Sequence, residues 1–300
     1  MATLVTIEEI REAQRRLAGV AVRTGLYRVE AERLRAAGVV AELPFALWVK
    51  AESEQPIGSF KLRGAYNRVA QMTAEELARG VITYSSGNHG QGVAYAARAL
   101  GAKAVVVMPE NAPAVKIEAV RTLGAEVVLV GAGSEERQAK AEALAAEHGY
   151  TVVPPYDDPA IVAGQATCGL EILEQLAERT IPLSGTVILS PVSGGGLLSG
   201  IASAVKLSGA TGVQVWGAEP ELAADAKESF DTKTLVEWPA ERTTRTISDG
   251  LRTQSLGRLN FAHIVRFVDG IVTVSEEEIV AAMRVMLAAT GMVAEPSGTR

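Results

Sequence analysis

The chain has 300 residues, 48% hydrophobic and 21% charged, enough to bury a sizeable core in two lobes. Twenty-nine Lys and Arg against 35 Asp and Glu leave a net charge of −6 with no basic cluster, which argues against nucleic acid or an anionic membrane as a partner. A single cysteine, Cys168, rules out an internal disulfide and fits a reducing cytoplasm. Glu8 and Glu9 interrupt the N-terminal residues, and no apolar run there has the length of a signal or a membrane span.

Thr6 followed by Glu9 predicts a capping box and a helix through Leu17. A turn at Arg23 to Leu26 leads to an apolar run at 45–49 that reads as a buried strand. Leu62, Ala65, Tyr66, Val69 and Met72 then recur at spacings of three and four, the pattern of a helix. Val81 to Ser85 reads as the next strand, with a helix through Leu100 after it. Two stretches nearly repeat: Arg98-Ala99-Leu100-Gly101-Ala102 before Val105 to Val107, and Arg121-Thr122-Leu123-Gly124-Ala125 before Val127 to Val130. Each reads as a helix stopped by glycine and followed by a short apolar strand, which implies a parallel sheet covered on both faces. Pro154 to Pro159 is a turn-rich crossing, and the helix after it, through Glu178, holds Cys168 on an apolar face with Ile161 and Ile172, a core thiol. Strands are expected at 186–190, 213–217 and 272–274, an ordered loop from Arg245 to Leu259, and a helix capped by Ser275 and Glu278.

Three stretches carry chemistry. In Gly58-Ser59-Phe60-Lys61-Leu62-Arg63-Gly64-Ala65, Lys61 stands where a loop enters a helix. The positive potential of a helix start lowers a lysine's affinity for its proton, and a neutral amine attacks carbonyls. Ser193-Gly194-Gly195-Gly196 joins a strand to a helix, and its backbone N–H groups can cradle a phosphate. It lacks the Gly-Lys-Ser/Thr ending of a Walker loop and is not G-x-G-x-x-G. Ser85-Ser86-Gly87-Asn88-His89-Gly90 is a second helix entry, able to hold a carboxylate. His89 is either catalytic or packed beneath that loop; His148 and His263 lack a partner motif and read as structural.

A fixed lysine, a phosphate cradle and a carboxylate loop fit pyridoxal phosphate acting on an amino acid. The three motifs, in this order, resemble those of fold-type II pyridoxal phosphate enzymes, and within them the threonine/serine dehydratases and serine racemases. The resemblance covers nearly the whole chain, including Ala163-Gly164-Gln165 and Ile247-Ser248-Asp249-Gly250; cysteine synthases fit less well. It implies an α/β fold of two open twisted, mostly parallel sheet lobes like the tryptophan synthase β chain, with residues 52–150 as the small domain, 1–51 and 151–300 as the large one, and the cofactor in the cleft.

By the same resemblance Lys61 is the Schiff-base lysine and the base at Cα, and Phe60 lies beside the cofactor ring. Asn88 bonds the phenolic oxygen, and Gly194, Gly195, Gly196 and Leu197 bind the phosphate. Ser86, Gly87, Asn88 and His89 face the substrate carboxylate, and Ser86 is the acid on the opposite face of Cα in the racemases. The family continues past Glu295-Pro296-Ser297-Gly298 to a serine or cysteine that bonds the pyridine nitrogen; no position up to Arg300 matches it. The expected reaction is deamination of L-threonine or L-serine in a homodimer or homotetramer. Serine racemase and 3-hydroxyaspartate dehydratase are the alternatives, the stretch from Thr246 to Gly257 being somewhat closer to that branch, and a non-catalytic sensor is the reading from another class. Glu219 and Asp225, with the carbonyl of Ala223, offer oxygen ligands suited to Mg²⁺ or Ca²⁺. By spacing alone a solvated loop competes with that reading; the positions match the family's divalent-cation site.

Overall fold

The computed structural model describes residues 3–40, 43–85, 87–131 and 134–298. In chain order the helices are α1 (Ile7–Leu17), α2 (Ala31–Ala36), α3 (Lys61–Val69), α4 (Ala74–Arg79), α5 (Asn88–Ala99), α6 (Ala114–Thr122), α7 (Ser134–His148), α8 (Pro159–Glu178), α9 (Gly196–Leu207), α10 (Asp225–Thr232), α11 (Ala240–Thr243), α12 (Arg258–Phe267) and α13 (Glu276–Thr290). The strands are β1 (Leu26–Val29), β2 (Leu47–Lys50), β3 (Val81–Tyr84), β4 (Ala104–Pro109), β5 (Glu126–Val130), β6 (Thr151–Val152), β7 (Val187–Pro191), β8 (Gln214–Pro220) and β9 (Gly270–Val274). Both predicted capping boxes form: Thr6 with Glu9 opens α1, and Ser275 with Glu278 opens α13.

Two parallel sheets carry the architecture. One has the order β5-β4-β3-β6, the other β7-β8-β9. Every residue of β4 is buried, as a central parallel strand with helices on both faces should be, while β5 at the edge is half-exposed. Val81, Val106 and Met108 of the first sheet pack with Val93 and Ala97 of α5; Ile82, Val105 and Val107 face α7 at Ala141. The second sheet sets Ile188 and Val215 against Leu198 and Ile201 of α9.

Two expectations need correction. The apolar run at 45–49 is not a buried strand: Phe45 is exposed, and β2 is half-buried throughout, paired antiparallel with β1 in a separate two-stranded sheet. The loop ending at Leu259 is shorter than expected because α12 starts at Arg258. Its first N–H groups are capped by a remote side chain, Asp157, whose carboxylate accepts from Arg258 N at 3.1 Å and Leu259 N at 2.9 Å. No local capping residue marks that start.

Helix α8 is the centre of packing. On one side it meets α3, the two running antiparallel: Gly64 faces Gly164 and Gln165, Asn67 donates to Ala160 O at 2.7 Å, and Arg68 pairs with Asp158 at 3.1 Å. On the other side α9 closes on it through Gly200. A Cβ on Gly164 would lie 2.6 Å from Gly64 Cα and 2.7 Å from Arg63 O, and backbone cannot swing aside. Gly164→Ala is therefore expected to lower stability by about 1–3 kcal/mol, read by chemical denaturation. An unchanged unfolding midpoint would show that the two helices are not in close contact.

Candidate active site

The three motifs meet on one irregular segment, Val153 to Tyr156, between β6 and α8. Val153 O takes the His89 ring at 3.1 Å, Pro155 O accepts from Lys61 Nζ at 2.8 Å, and the Tyr156 ring covers the glycines of the third motif. Residues more than a hundred positions apart in the chain thus form one site.

Lys61 is the first residue of α3, and its neighbour Phe60 has a ring centroid 5.4 Å from the amine. Burial lowers the Lys61 amine from 10.5 to about 8. Roughly a tenth of such amines are neutral at pH 7, against about one in three thousand for an ordinary lysine. Ser59, just before Phe60, keeps a buried hydroxyl with no hydrogen-bond partner among the described residues.

Gly195 precedes α9 at φ +93°, a left-handed conformation that leads the chain sharply into the helix. Any Cβ there would press within 3.0 Å of Asn260, Leu256 and Ile264. The first intrahelical donor is Ser199 N, to Gly195 O at 2.9 Å, so the N–H groups of Gly196, Leu197 and Leu198 have no partner inside the helix. Gly194 O is tied down by Asn260 Nδ2 at 2.7 Å and Gly257 N at 3.1 Å. The result is a rigid anion cradle at a helix start.

Helix α5 presents a second such start. Gly87 N donates to Ser85 Oγ at 3.1 Å, and Gln91 N closes the first turn on Gly87 O. Ser86 lies outside the described residues. His89 is turned inward: its Nε2 must carry the proton it donates to Val153 O, and burial, then the nearby Lys61 charge, drops its pKa to about 3. Only its backbone N–H is available to a carboxylate. One Asn88 amide hydrogen goes to Glu295 Oε1 at 2.7 Å, leaving the other.

The sequence reading missed the groups around these loops. Tyr156 lies in the proline-rich crossing, where nothing marks a ligand contact; its ring comes within 2.4 Å of where a Gly194 Cβ would be. Lys116 of α6 lies against Gly87 and pairs with Asp249, with Glu295 Oε2 at 3.9 Å. Neither partner is near it in sequence, so only the fold could reveal the cluster.

Glu219 is wholly buried at the end of β8, and Asp225 is 1% exposed at the start of α10. Glu219 accepts from Ala226 N at 3.1 Å and Lys227 N at 2.8 Å. Asp225 Oδ2 is buried without a hydrogen-bond partner among the described residues, and burial raises this carboxyl to about 8. This is not a solvated loop, and the orphaned oxygen suits a cation. Ala223 is buried between them in a 3₁₀ turn, Glu221–Ala223. No helix among the described residues is long and apolar enough to cross a membrane.

Comparison with known proteins agrees with this geometry. Residues 22–299 match the family described as pyridoxal-phosphate dependent enzyme. The chain is 40% identical over 251 residues to an L-threo-3-hydroxyaspartate ammonia-lyase of Saccharomyces cerevisiae, covering 84% of this chain and 74% of that one. It is 35% identical to a serine racemase of Schizosaccharomyces pombe, covering 98% and 86%. Among solved structures, a T.th. threonine deaminase superposes with a TM-score of 0.87 at 42% identity, covering 98% of this chain and 90% of that one.

The buried histidines make stability pH-dependent. His263 accepts from Val5 N at 2.9 Å through Nε2 and meets Leu259 O at 2.8 Å through Nδ1, and burial lowers its pKa, as it does for His89. Both rings are neutral when folded, whereas an unfolded histidine binds a proton near pH 6.5. Stability should thus fall as pH drops through about 6.5, by up to about 1.4 kcal/mol per pH unit for each ring. Without a bound ion, the burial-raised carboxyl of Asp225 acts in the opposite sense over this window. His263→Gln isolates one ring, and its denaturation midpoint should fall less between pH 7 and 5 than the parent's. Identical pH profiles would show that His263 is not held neutral.

Proposed function

We infer that this chain, which belongs to the pyridoxal-phosphate dependent enzyme family, is an ammonia-lyase that converts L-threonine or L-serine to a 2-oxo acid and ammonia. The observation that carries the reading is the buried Lys61 amine, standing on the same short segment as a glycine cradle and a carboxylate-binding loop. The residues present fit the cofactor: an amine already partly neutral, a cradle with N–H groups unused by its helix, and an orphaned hydroxyl on Ser59.

Lys61 would hold the cofactor through its amine, with Phe60 beside the ring and Asn88 at its oxygen. Gly194, Gly195, Gly196 and Leu197 would hold the phosphate. When bound, pyridoxal phosphate supplies a sink for the electrons left on Cα after proton removal. The N–H groups at the start of α5, with Ser86, hold the substrate carboxylate and so orient the Cα–H bond. Lys61, free once the substrate amine takes its place, removes that proton as general base; its low proton affinity suits the task near neutral pH. The β-hydroxyl leaves as water, and hydrolysis of the released enamine consumes one water and yields the 2-oxo acid and ammonia.

One observation favours a second reading. Lys116 places a cation against Gly87, and a second carboxylate on the substrate would compete with Asp249 for it. This supports 3-hydroxyaspartate as an alternative substrate, consistent with the activity for which the yeast relative is named. Racemisation is the further alternative, with Ser86 as the acid on the face opposite Lys61. Cytoplasmic residence is proposed on the single cysteine, a small domain at 52–150 on the alternation of helices and strands there together with the resemblance, and a homodimer or homotetramer on the resemblance.

Turnover of L-threonine, L-serine and L-threo-3-hydroxyaspartate, scored for 2-oxo acid and inverted enantiomer together, separates these readings, and a non-catalytic sensor gives neither product. Lys61→Ala should lose the visible absorbance of the bound cofactor and all turnover while keeping its melting temperature within a few degrees. Normal ammonia release by that variant would sink the assignment.

We further propose that Glu219, the Ala223 carbonyl and Asp225 hold Mg²⁺ or Ca²⁺, which would keep Asp225 ionised and brace β8 against α10. Chelation should lower melting temperature and activity together, with recovery on adding either ion. An unchanged melting temperature in protein shown metal-free by elemental analysis would remove the ion from the account.

A further inference from the structure

Arg63, two residues after Lys61, is among the largest wholly buried side chains of the protein, with its side chain 1% exposed. The reaction gives it no role. A buried guanidinium is costly unless every donor is met, and here all are. Nε and Nη2 donate to the two oxygens of Glu52, each at 2.8 Å. Nη1 and Nη2 donate to the two oxygens of Glu171 at 2.7 and 2.8 Å. Nη1 also reaches Thr167 Oγ1 at 3.1 Å, and Nη2 reaches Val22 O at 3.3 Å. Lys50 completes the group, donating to Glu171 at 2.6 Å, Thr24 O at 2.8 Å and Gln175 at 3.1 Å. Two cations thus face two anions. Burial alone would raise Glu52, yet the Arg63 guanidinium overrides it and holds the carboxyl below its ordinary range.

The location of this clamp is informative. Lys61 is the first residue of α3, and the residue before it, Phe60, makes no side-chain cap. An uncapped helix start is where a helix frays, and the turn that bears the amine is closed locally by backbone bonds such as Arg63 N to Phe60 O at 3.0 Å, with no side-chain cap from Phe60. Arg63 is in that same turn, and its two forked pairs reach the 3₁₀ turn Glu52–Glu54 and the middle of α8. Other segments joined here, at Val22, Thr24 and Lys50, come from the N-terminal part of the chain. If stability were the whole purpose, an apolar side chain of similar volume in place of the ions would serve. A planar fork bound twice defines position in a way a greasy contact does not.

We propose that Arg63 is a positioning residue: by clamping the first turn of α3 to α8 and to Glu52, it sets where the Lys61 amine stands in the cleft. The proposal rests on Lys61 being the cofactor lysine. Arg63→Lys keeps the charge and loses the fork, and Glu171→Gln keeps an acceptor and loses one charge. In the cofactor-loaded enzyme, both variants should retain visible absorbance but shift the pH midpoint of that band. Both should lower kcat by roughly tenfold to a hundredfold, the scale of an ångström-level misplacement. KM should move much less, because the substrate carboxylate is held by α5. A fall in melting temperature with parental kcat and band midpoint would overturn the proposal and leave Arg63 a stabilising residue only. Should Arg63→Lys not fold, the Glu171→Gln titration decides alone, with the same two outcomes. Lys61→Ala run beside them separates the two claims. A retained normal band in Lys61→Ala removes the lysine assignment itself, whereas a lost band with parental Arg63→Lys behaviour removes only the positioning role.

Discussion

Backbone-to-backbone contact between helices is the constraint on which the rest of the site depends. Gly164 of α8 lies against Gly64 of α3, Gly92 of α5 against Lys61 O, and Gly200 of α9 against Ala166 N and Val162 O. Four helices are thereby stacked α5, α3, α8, α9 with backbone close to backbone at these crossings, where Ala65 Cβ beside Gly92 and the Gln165 side chain beside Gly64 also pack. Three of the four begin with a chemical motif: the carboxylate loop before α5, the lysine at α3 and the glycine cradle before α9. The separation of the three helix starts is therefore set by helix diameters, and the segment Val153 to Tyr156 fixes the side chains between them. Close packing makes that spacing stiff, since an interior at crystal density transmits a shift instead of absorbing it.

The second constraint is the dryness of this stack. Burial removes water from Lys61, His89 and Cys168 alike, and each responds by favouring its uncharged form. Lys61 becomes a usable nucleophile, and His89 becomes a fixed donor to Val153 O. Cys168 is pushed well above its ordinary range and is inert, as expected of a core thiol. Where charge must remain inside, at Arg63 and Lys50, it is met by equal and opposite charge, at fork geometry for Arg63 and through one Glu171 oxygen for Lys50. The same dehydration thus yields a reactive amine at one end of α3 and a neutral ionic clamp two residues later.

Much of this was legible in the residues. The three motifs, the capping boxes of α1 and α13, and the glycine stops at Gly101 and Gly124 are local signals, and each stands where its spacing placed it. The failures share a different cause. The start of α12 is capped by Asp157, about a hundred residues upstream, so a reading of Arg245 to Leu259 sees only a loop. The run at 45–49 has the composition of a core strand, yet β2 pairs only with β1 and leaves Phe45 in solvent. Arg63 looks like one more surface arginine until Glu52 and Glu171 are brought to it. Periodicity and capping report on neighbours within a few residues, and these features depend on partners that only topology supplies.

The segment Val153 to Tyr156 shows how an apparent break in structure makes the site. Strand β6 lasts two residues, Thr151–Val152, paired with Val81 and Ile82 of β3. Pro154 and Pro155 follow, and neither has an N–H to continue a ladder. The strand stops, and the carbonyls that a longer ladder would occupy stay free for side chains. Val153 O takes Thr83 Oγ1 at 2.7 Å and the His89 ring, and Pro155 O takes the Lys61 amine. A carbonyl acceptor, unlike a carboxylate, orients the amine without adding a negative charge that would hold its proton more firmly. Lys61 is thus fixed in place by Pro155 and kept reactive by burial, and replacing that acceptor with an acid would forfeit the second effect to gain the first.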